Sequence, residues 1–320
     1  MKRKFLGYLS FCLICLLLIT SCSKREKLYT VGIIQIAQSS QLDQAREGVI
    51  LAFKDSSFVN GKNIKIKYQN AQDEISNINL ILQQFVQDEV DLIITIGSPC
   101  LVSACNFVKD IPVVSTASFH PTQLGIKEIP SNVTGTYDPF DMDDFIQFIK
   151  ETLPDVKRIG VPWNPSESNS RFSVEHLRKS AKKYRIELVE VSVNNSSEVY
   201  SDIQFLATKG IDAIVVSTDN TVNTAFDSVV KVAEDNKIPI FVTEPDDVSQ
   251  GACAGFGIDL YDCGYKSGIL AVRIMKGEKV ENIPFQLLKH KRLYLNLSEA
   301  EVQGIKFSED IIKKADKIIK

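Results

Sequence analysis

Tryptophan occurs once in this 320-residue chain and histidine three times. Such scarcity leaves little to build a histidine-based metal centre, and no metal or cofactor is expected. No stripe of lysine or arginine follows the first 30 residues, and the net charge is only −3, so nucleic acid is not the expected partner. The Gly-x-Ser-x-Gly, His-Glu-x-x-His and Walker patterns are all missing. Nothing encodes a kinase or a DNA-binding segment. The chain is therefore expected to bind rather than to catalyse.

What is present is an ordinary globular balance, with 44% hydrophobic and 24% charged residues. The length suits two domains better than one. Ile211 to Thr221 reads as an apolar strand that ends abruptly in small polar residues, and Val90 to Pro99 looks like its copy. Such runs belong to strands buried on both faces of a parallel sheet. Open α/β sheets bind ligands just outside the carboxyl ends of those strands. The copying extends further. Gly32 and Gly160 lie 128 residues apart, Asp91 and Asp212 lie 121 apart, and Pro112 and Pro239 lie 127 apart. Each half thus alternates strands and helices. The expected fold is α/β, with two Rossmann-like lobes of parallel sheet joined by a three-strand hinge. Lobe one is expected at 29–136 plus about 260–282, and lobe two at 137–259 plus about 283–320. The helix Tyr261 to Lys276 has no counterpart in the repeat and is expected to pack back on lobe one. The stretches Ile283 to Leu288 and Arg292 to Leu297 are expected to return to lobe two.

The first residues read as a processing segment rather than fold. Lys2, Arg3 and Lys4 precede an apolar run, Phe5 to Ile19, that is short for a membrane span. Ile19-Thr-Ser-Cys22 follows and resembles the lipobox of bacterial lipoproteins. The resemblance implies a signal peptide over 1–21, lipid on Cys22 and a polar tether over 22–28. Cys100 and Cys105 are five residues apart on one expected helix, which puts them on different faces, and they read as buried free thiols. The state of Cys253 and Cys263 is left open.

Over essentially the whole mature chain, the sequence resembles substrate-binding proteins of bacterial ABC transporters with the type I periplasmic-binding fold. Gln44 to Gly48, Tyr68 to Gln72, Asp110 to Val114, Asn132 to Gly135, Thr218 to Thr221 and Gly257 to Asp259 carry the resemblance. It is strongest to a lipoprotein subgroup associated with uptake of aromatic amino acids such as tryptophan. It implies a monomer on the extracytoplasmic face of the membrane, held there by lipid alone, with a permease and an ATPase as partners. Two local departures stand at expected cleft positions. Phe119-His120-Pro121 replaces an Asp-Pro, and Trp163 is unusual beside Asn164.

Strand ends and the loops after them should supply the ligand site. In lobe one these are Ser98, Thr116 and Ser118, with Tyr137 near the crossover. In lobe two they are Asn164, Ser166, Glu167, Asn169, Thr218, Asp219, Asn220 and Glu244, with Asp259 near the hinge. Lobe one offers hydroxyls and lobe two offers carboxylates, with no lysine or arginine in these loops. A phosphate or dicarboxylate would want a cation. A zwitterion fits, its ammonium on Asp219 or Glu244 and its carboxylate on helix N-terminal amides and hydroxyls. Tyr137, Trp163, Phe119 and Phe256 are candidates to stack an aromatic side chain. The same set would also suit a sugar or nucleoside, and a ligand sensor without transport has the same fold. Plainer roles compete at several positions. Ser98, Asn164, Thr218 and Asp219 each stand where a helix N-cap would, Asp259 where a hinge residue would, and Glu244 in an acidic loop.

Overall fold

The structure, a computed structural model, describes residues 28–138 and 142–320. The expected signal peptide at 1–21, the lipidation candidate Cys22 and the tether up to residue 27 lie outside the described residues.

The first lobe begins with β1 (Tyr29–Gln35), α1 (Ser40–Asp55), β2 (Ile64–Asn70), α2 (Ile75–Gln87), β3 (Leu92–Ile96), α3 (Ser98–Phe107), β4 (Val113–Thr116) and β5 (Val133–Tyr137). The second repeats the plan with α4 (Met142–Thr152), β6 (Arg158–Trp163), α5 (Ser168–Lys183), β7 (Glu187–Ser192), α6 (Val199–Ala207), β8 (Ala213–Val216), α7 (Asn220–Thr224), α8 (Phe226–Asn236), β9 (Ile240–Val242) and β10 (Ala254–Ile258). The C-terminal part adds α9 (Leu260–Met275), β11 (Gln286–Leu287), β12 (Lys291–Asn296), α10 (Leu297–Val302), α11 (Glu309–Lys314) and β13 (Lys317–Ile319).

The first sheet has six strands in the order β11-β5-β4-β3-β1-β2, and the second has seven in the order β13-β12-β10-β9-β8-β6-β7. All pairs are parallel except β10 with β12. Residues decide these positions. Every residue of β3 and of β8 is buried, as continuous apolar runs in central strands require. β2 carries lysine on alternate positions, β7 carries two glutamates and has no fully buried residue, and both sit at the edges. The strand order reverses between β1 and β3 and again between β6 and β8, and each reversal opens a crevice at the carboxyl ends of the strands.

Helix α9 leaves β10 and lies along α1 of the first lobe. Glycine makes this possible. A Cβ on Gly264 would stand 1.9 Å from the Ala45 carbonyl oxygen, and one on Gly48 would stand 2.2 Å from that of Tyr261. The two backbones therefore meet with no side chain between them.

One segment departs from expectation. Ile283 to Leu288 does not return to the second lobe. β11 within it pairs with β5 (Gln286 with Thr136, Leu287 with Tyr137), and the Leu288 amide bonds the Tyr137 carbonyl at 3.0 Å. The edge of β5 was open, and pairing it satisfies backbone groups that burial would otherwise orphan. The last passage between lobes therefore falls at 289–290, just before β12. The cysteines Cys100, Cys105, Cys253 and Cys263 are all free and buried.

Candidate functional site

The carboxyl ends of both sheets face a cleft of about 580 Å³, counting the space open at its mouth. The first lobe contributes Gly97 and Ser98 after β3, Ala117, Ser118 and Phe119 after β4, and Asp138 after β5. The second contributes Asn169 at the start of α5, Thr218 and Asn220 around the start of α7, and Thr243 and Glu244 after β9. Leu42, Ile258, Leu260 and Leu288 complete an apolar wall.

Helix α3 points its N-terminus into this space. Its cap is Gly97, at φ +99°, a conformation that suits glycine. Ser98 is thereby released from the capping role expected of it. Its hydroxyl lies 3.2 Å from that of Ser118 and accepts from the Phe119 amide at 3.3 Å. Helix α7 is capped by Asp219 rather than Thr218. Thr218 Oγ1, Thr243 Oγ1 and Asn169 Oδ1 are buried at the cleft with no protein partner. Buried polar atoms without partners are rare, and three together on one wall mark where a ligand would supply them. The other end of the Asn169 side chain is held, donating to Glu167 at 3.0 Å and to the Thr218 carbonyl at 2.9 Å.

Two carboxylates face the cleft. Glu244 accepts from Asn223 at 2.9 Å, and burial, then the nearby charges of Asp247, Asp246 and Asp138, push it well above the usual carboxylate range. Asp138 is the second. In the sequence Asp138 reads only as part of a crossover, because its place at the cleft depends on where β5 ends relative to β9. No lysine, arginine or histidine lines the cleft among the described residues.

Several expected contacts lie elsewhere. Asp219 is 1% exposed and spends both oxygens on the protein. It takes the Asn164 amide and the Ser170 hydroxyl at 2.6 Å each, and the Val222 amide at 2.9 Å. It is a strut tying β6, α5 and α7 together. Glu167 stands behind the lining and holds Asn169, Asn220 and Thr221. Asn164 donates to Thr221 at 2.8 Å and accepts from the Ser166 amide, while Ser166 itself is exposed. Thr116 turns to Cys263 Sγ at 3.3 Å. Asp259 caps α9 through the Asp262 amide at 3.0 Å. Tyr137 packs edge-on against His120, 4.8 Å between ring centres, and His120 caps the short turn at 121–124.

Of the four aromatic candidates, Phe119 lines the cleft. Trp163 packs beside the second-lobe core under Arg178, and Phe256 packs on Phe148. Residue type does not separate these cases: Tyr137 and Trp163 end strands, Phe119 follows one and Phe256 lies within one, and only the packing around each decides which reaches the cleft.

The lobes touch across the cleft. Phe119 lies 4.8 Å from Phe172 of α5, Thr221 and Asp73 stand 2.9 Å apart, and Gln41 bonds Asp247. Burial pushes Asp247 up to about 8, against the opposing donor from Gln41.

Comparison with known proteins accords with this geometry. A tyrosine-binding protein of Clostridioides difficile is 39% identical over 91% of this chain and 85% of its own. The crystal structure of an ABC domain from Streptococcus pneumonia in complex with L-Trp superposes with a TM-score of 0.85 at 26% identity, over 92% of this chain and all of the other. The ligand-free, open structure of a substrate binding protein with adhesive properties from Clostridium difficile is 33% identical, over 91% of this chain and 99% of the other, yet reaches only 0.66. Residues 30–319 match the family of ABC transporter substrate binding proteins, and the chain belongs to that family.

Proposed function

We propose that the chain captures an aromatic amino acid as a zwitterion between its lobes and delivers it to a membrane permease driven by an ATPase. One observation carries the choice of ligand: Asp138 and Glu244 face a cleft with no cationic side chain among its described lining residues. An α-ammonium brings positive charge to this carboxylate-bearing wall and a donor to Asn169 Oδ1. An α-carboxylate fits the opposite side, at the Ser98 and Ser118 hydroxyls and the N-terminus of α3. Phe119, Leu42 and Leu260 offer apolar surface to a ring. The relatives described as tyrosine-binding and as an L-Trp complex support the same class. Ligand contacts with both lobes favour the closed form, because only that form can make all of them.

Attachment through lipid on Cys22, after removal of residues 1–21, belongs to this proposal, as do a monomeric state and an extracytoplasmic location for the folded part. No helix among the described residues is long and apolar enough to cross a membrane.

Thermal shift against the twenty amino acids and a sugar panel tests the ligand class. L-Tyr, L-Trp or L-Phe should stabilise the chain by about 2.7 kcal/mol at a hundred times its dissociation constant. Stabilisation by sugars alone would overturn the reading.

A further inference from the structure

Asp73 lies outside the cleft lining, in the loop between β2 and α2. Gln72 and Asp73 both adopt left-handed backbone, at φ +54° and +62°, a conformation uncommon for residues other than glycine. The loop is held there by the Asp73 amide, which bonds the Ile36 carbonyl at 2.8 Å. Its carboxyl thereby reaches across to the second lobe and meets Thr221 Oγ1 at 2.9 Å.

The protons at this contact can be counted. Thr221 Oγ1 has one proton and two lone pairs. Asn164 Nδ2 donates to it at 2.8 Å. Two carboxyl groups then compete for the single hydroxyl proton, Glu167 Oε1 at 2.8 Å and Asp73 Oδ2 at 2.9 Å. Glu167 also collects the Asn169 and Asn220 side-chain amides and the backbone amides of Asn220 and Thr221, the surroundings of a carboxylate anion. Asp73 has Thr221 alone at this contact. If Thr221 donates to Glu167, Asp73 must bring a proton of its own and donate it to Thr221.

We infer that Asp73 is a positioning residue for lobe closure, and that its carboxyl takes up one proton from solvent as it docks on Thr221, which couples ligand capture to proton uptake. The inference rests on the reading of the chain as a closing binding protein. The charges that bear on Asp73 have one sign. Glu167 faces it from the N-terminus of α5, Glu74 stands beside it on its own loop, and Asp219 lies behind Glu167 at the N-terminus of α7. Burial first, and then Glu167, push Asp73 up to about 7 in the closed chain. With the lobes apart it meets water, where an aspartate titrates near about 4. Between those values the closed form binds more protons than the open form. Closure is therefore favoured on the acid side, and the advantage is lost as pH rises through about 7.

Titration calorimetry of the full chain with L-Tyr and L-Trp, in buffers of different ionisation heat near about pH 6, counts the protons. Burial also raises Glu244, Asp246 and Asp247, so the difference between wild type and Asp73→Asn is the measure. The amide keeps a donor for Thr221 but takes up no proton. Asp73→Asn should take up about half to one proton fewer per ligand, and its affinity should fall less than the wild type's loss of about five-fold or more between about pH 5.5 and 8. Asp73→Ala, which removes the contact, should weaken binding at every pH. Equal proton counts and parallel profiles for wild type and Asp73→Asn would overturn the coupling while leaving the binding function standing. If neither amino acid binds, the ligand reading fails instead, and small-angle scattering of the unliganded chain decides the coupling. The compact form should then grow toward acid more in wild type than in Asp73→Asn, and identical curves would overturn it.

Discussion

Two carboxylates that look alike in sequence have opposite roles in the molecule. Asp219 and Glu244 both follow a central strand of the second lobe and both suit an ammonium. Asp219 is satisfied by Asn164, Ser170 and Val222, so Asp219→Ala would strand three donors in a buried site. The expected result is a loss of about 2–4 kcal/mol in chemical denaturation, more than a mere ligand contact would cost. Glu244 has Asn223 as its side-chain partner and three carboxylates near it. Glu244→Gln should weaken amino-acid binding by about ten- to a hundred-fold in calorimetry, the scale of one charge-assisted hydrogen bond. The unliganded variant should hold its stability near neutral pH or gain. The reason lies in the sign of the shift. A carboxyl raised on folding favours the folded state below its unfolded value and loses that advantage as pH rises through the folded one. Replacing it by an amide removes the loss. What separates the two residues is a few ångströms of position, which no local pattern of residue types encodes.

At the scale of elements, most of the architecture follows from local patterns. The buried runs at β3 and β8, the alternating edge strand β2 and the matched spacings of the two halves are all visible before folding. Capping chemistry was harder to place. Gly97 rather than Ser98 caps α3, and of the two adjacent candidates at α7 it is Asp219, not Thr218, that caps, because a cap depends on backbone angles at one residue as well as on residue type. The stretch Ile283 to Leu288, expected in the second lobe, holds only the two-residue β11, which is too short to show a period and is defined by its pairing with β5. The α1–α9 contact rests on glycine at Gly48 and Gly264. Gly264→Leu should push these helices apart and cost about 3 kcal/mol or more in thermal or denaturant unfolding, while Gly277→Ala, on the surface beyond α9, should cost about 1–3 kcal/mol, by its strained angle alone.

At the scale of the molecule, the chain is two similar sheets whose ends meet. Phe119 bridges the lobes from the cleft wall, while two polar bridges, Asp73 with Thr221 and Gln41 with Asp247, lie beside the cleft. A ligand therefore has less to supply, since part of the closed surface is made by the protein itself. The same contacts bury acidic groups, so closure brings protons with it.

Residue order alone determined the class of fold, the duplication, the pairing of strand ends and the lack of cations in the cleft loops. These follow from hydrophobic period and composition, which act over a few residues at a time. The tertiary structure decided which polar residues reach the ligand space and which brace it. It turned Asp219 and Glu167 inward as supports, brought Asp138 into the cleft and set Asp73 against Thr221. Those outcomes depend on sheet twist, on helix approach and on the angle between lobes. Such distances are fixed between residues far apart in the chain, and no stretch of sequence contains them.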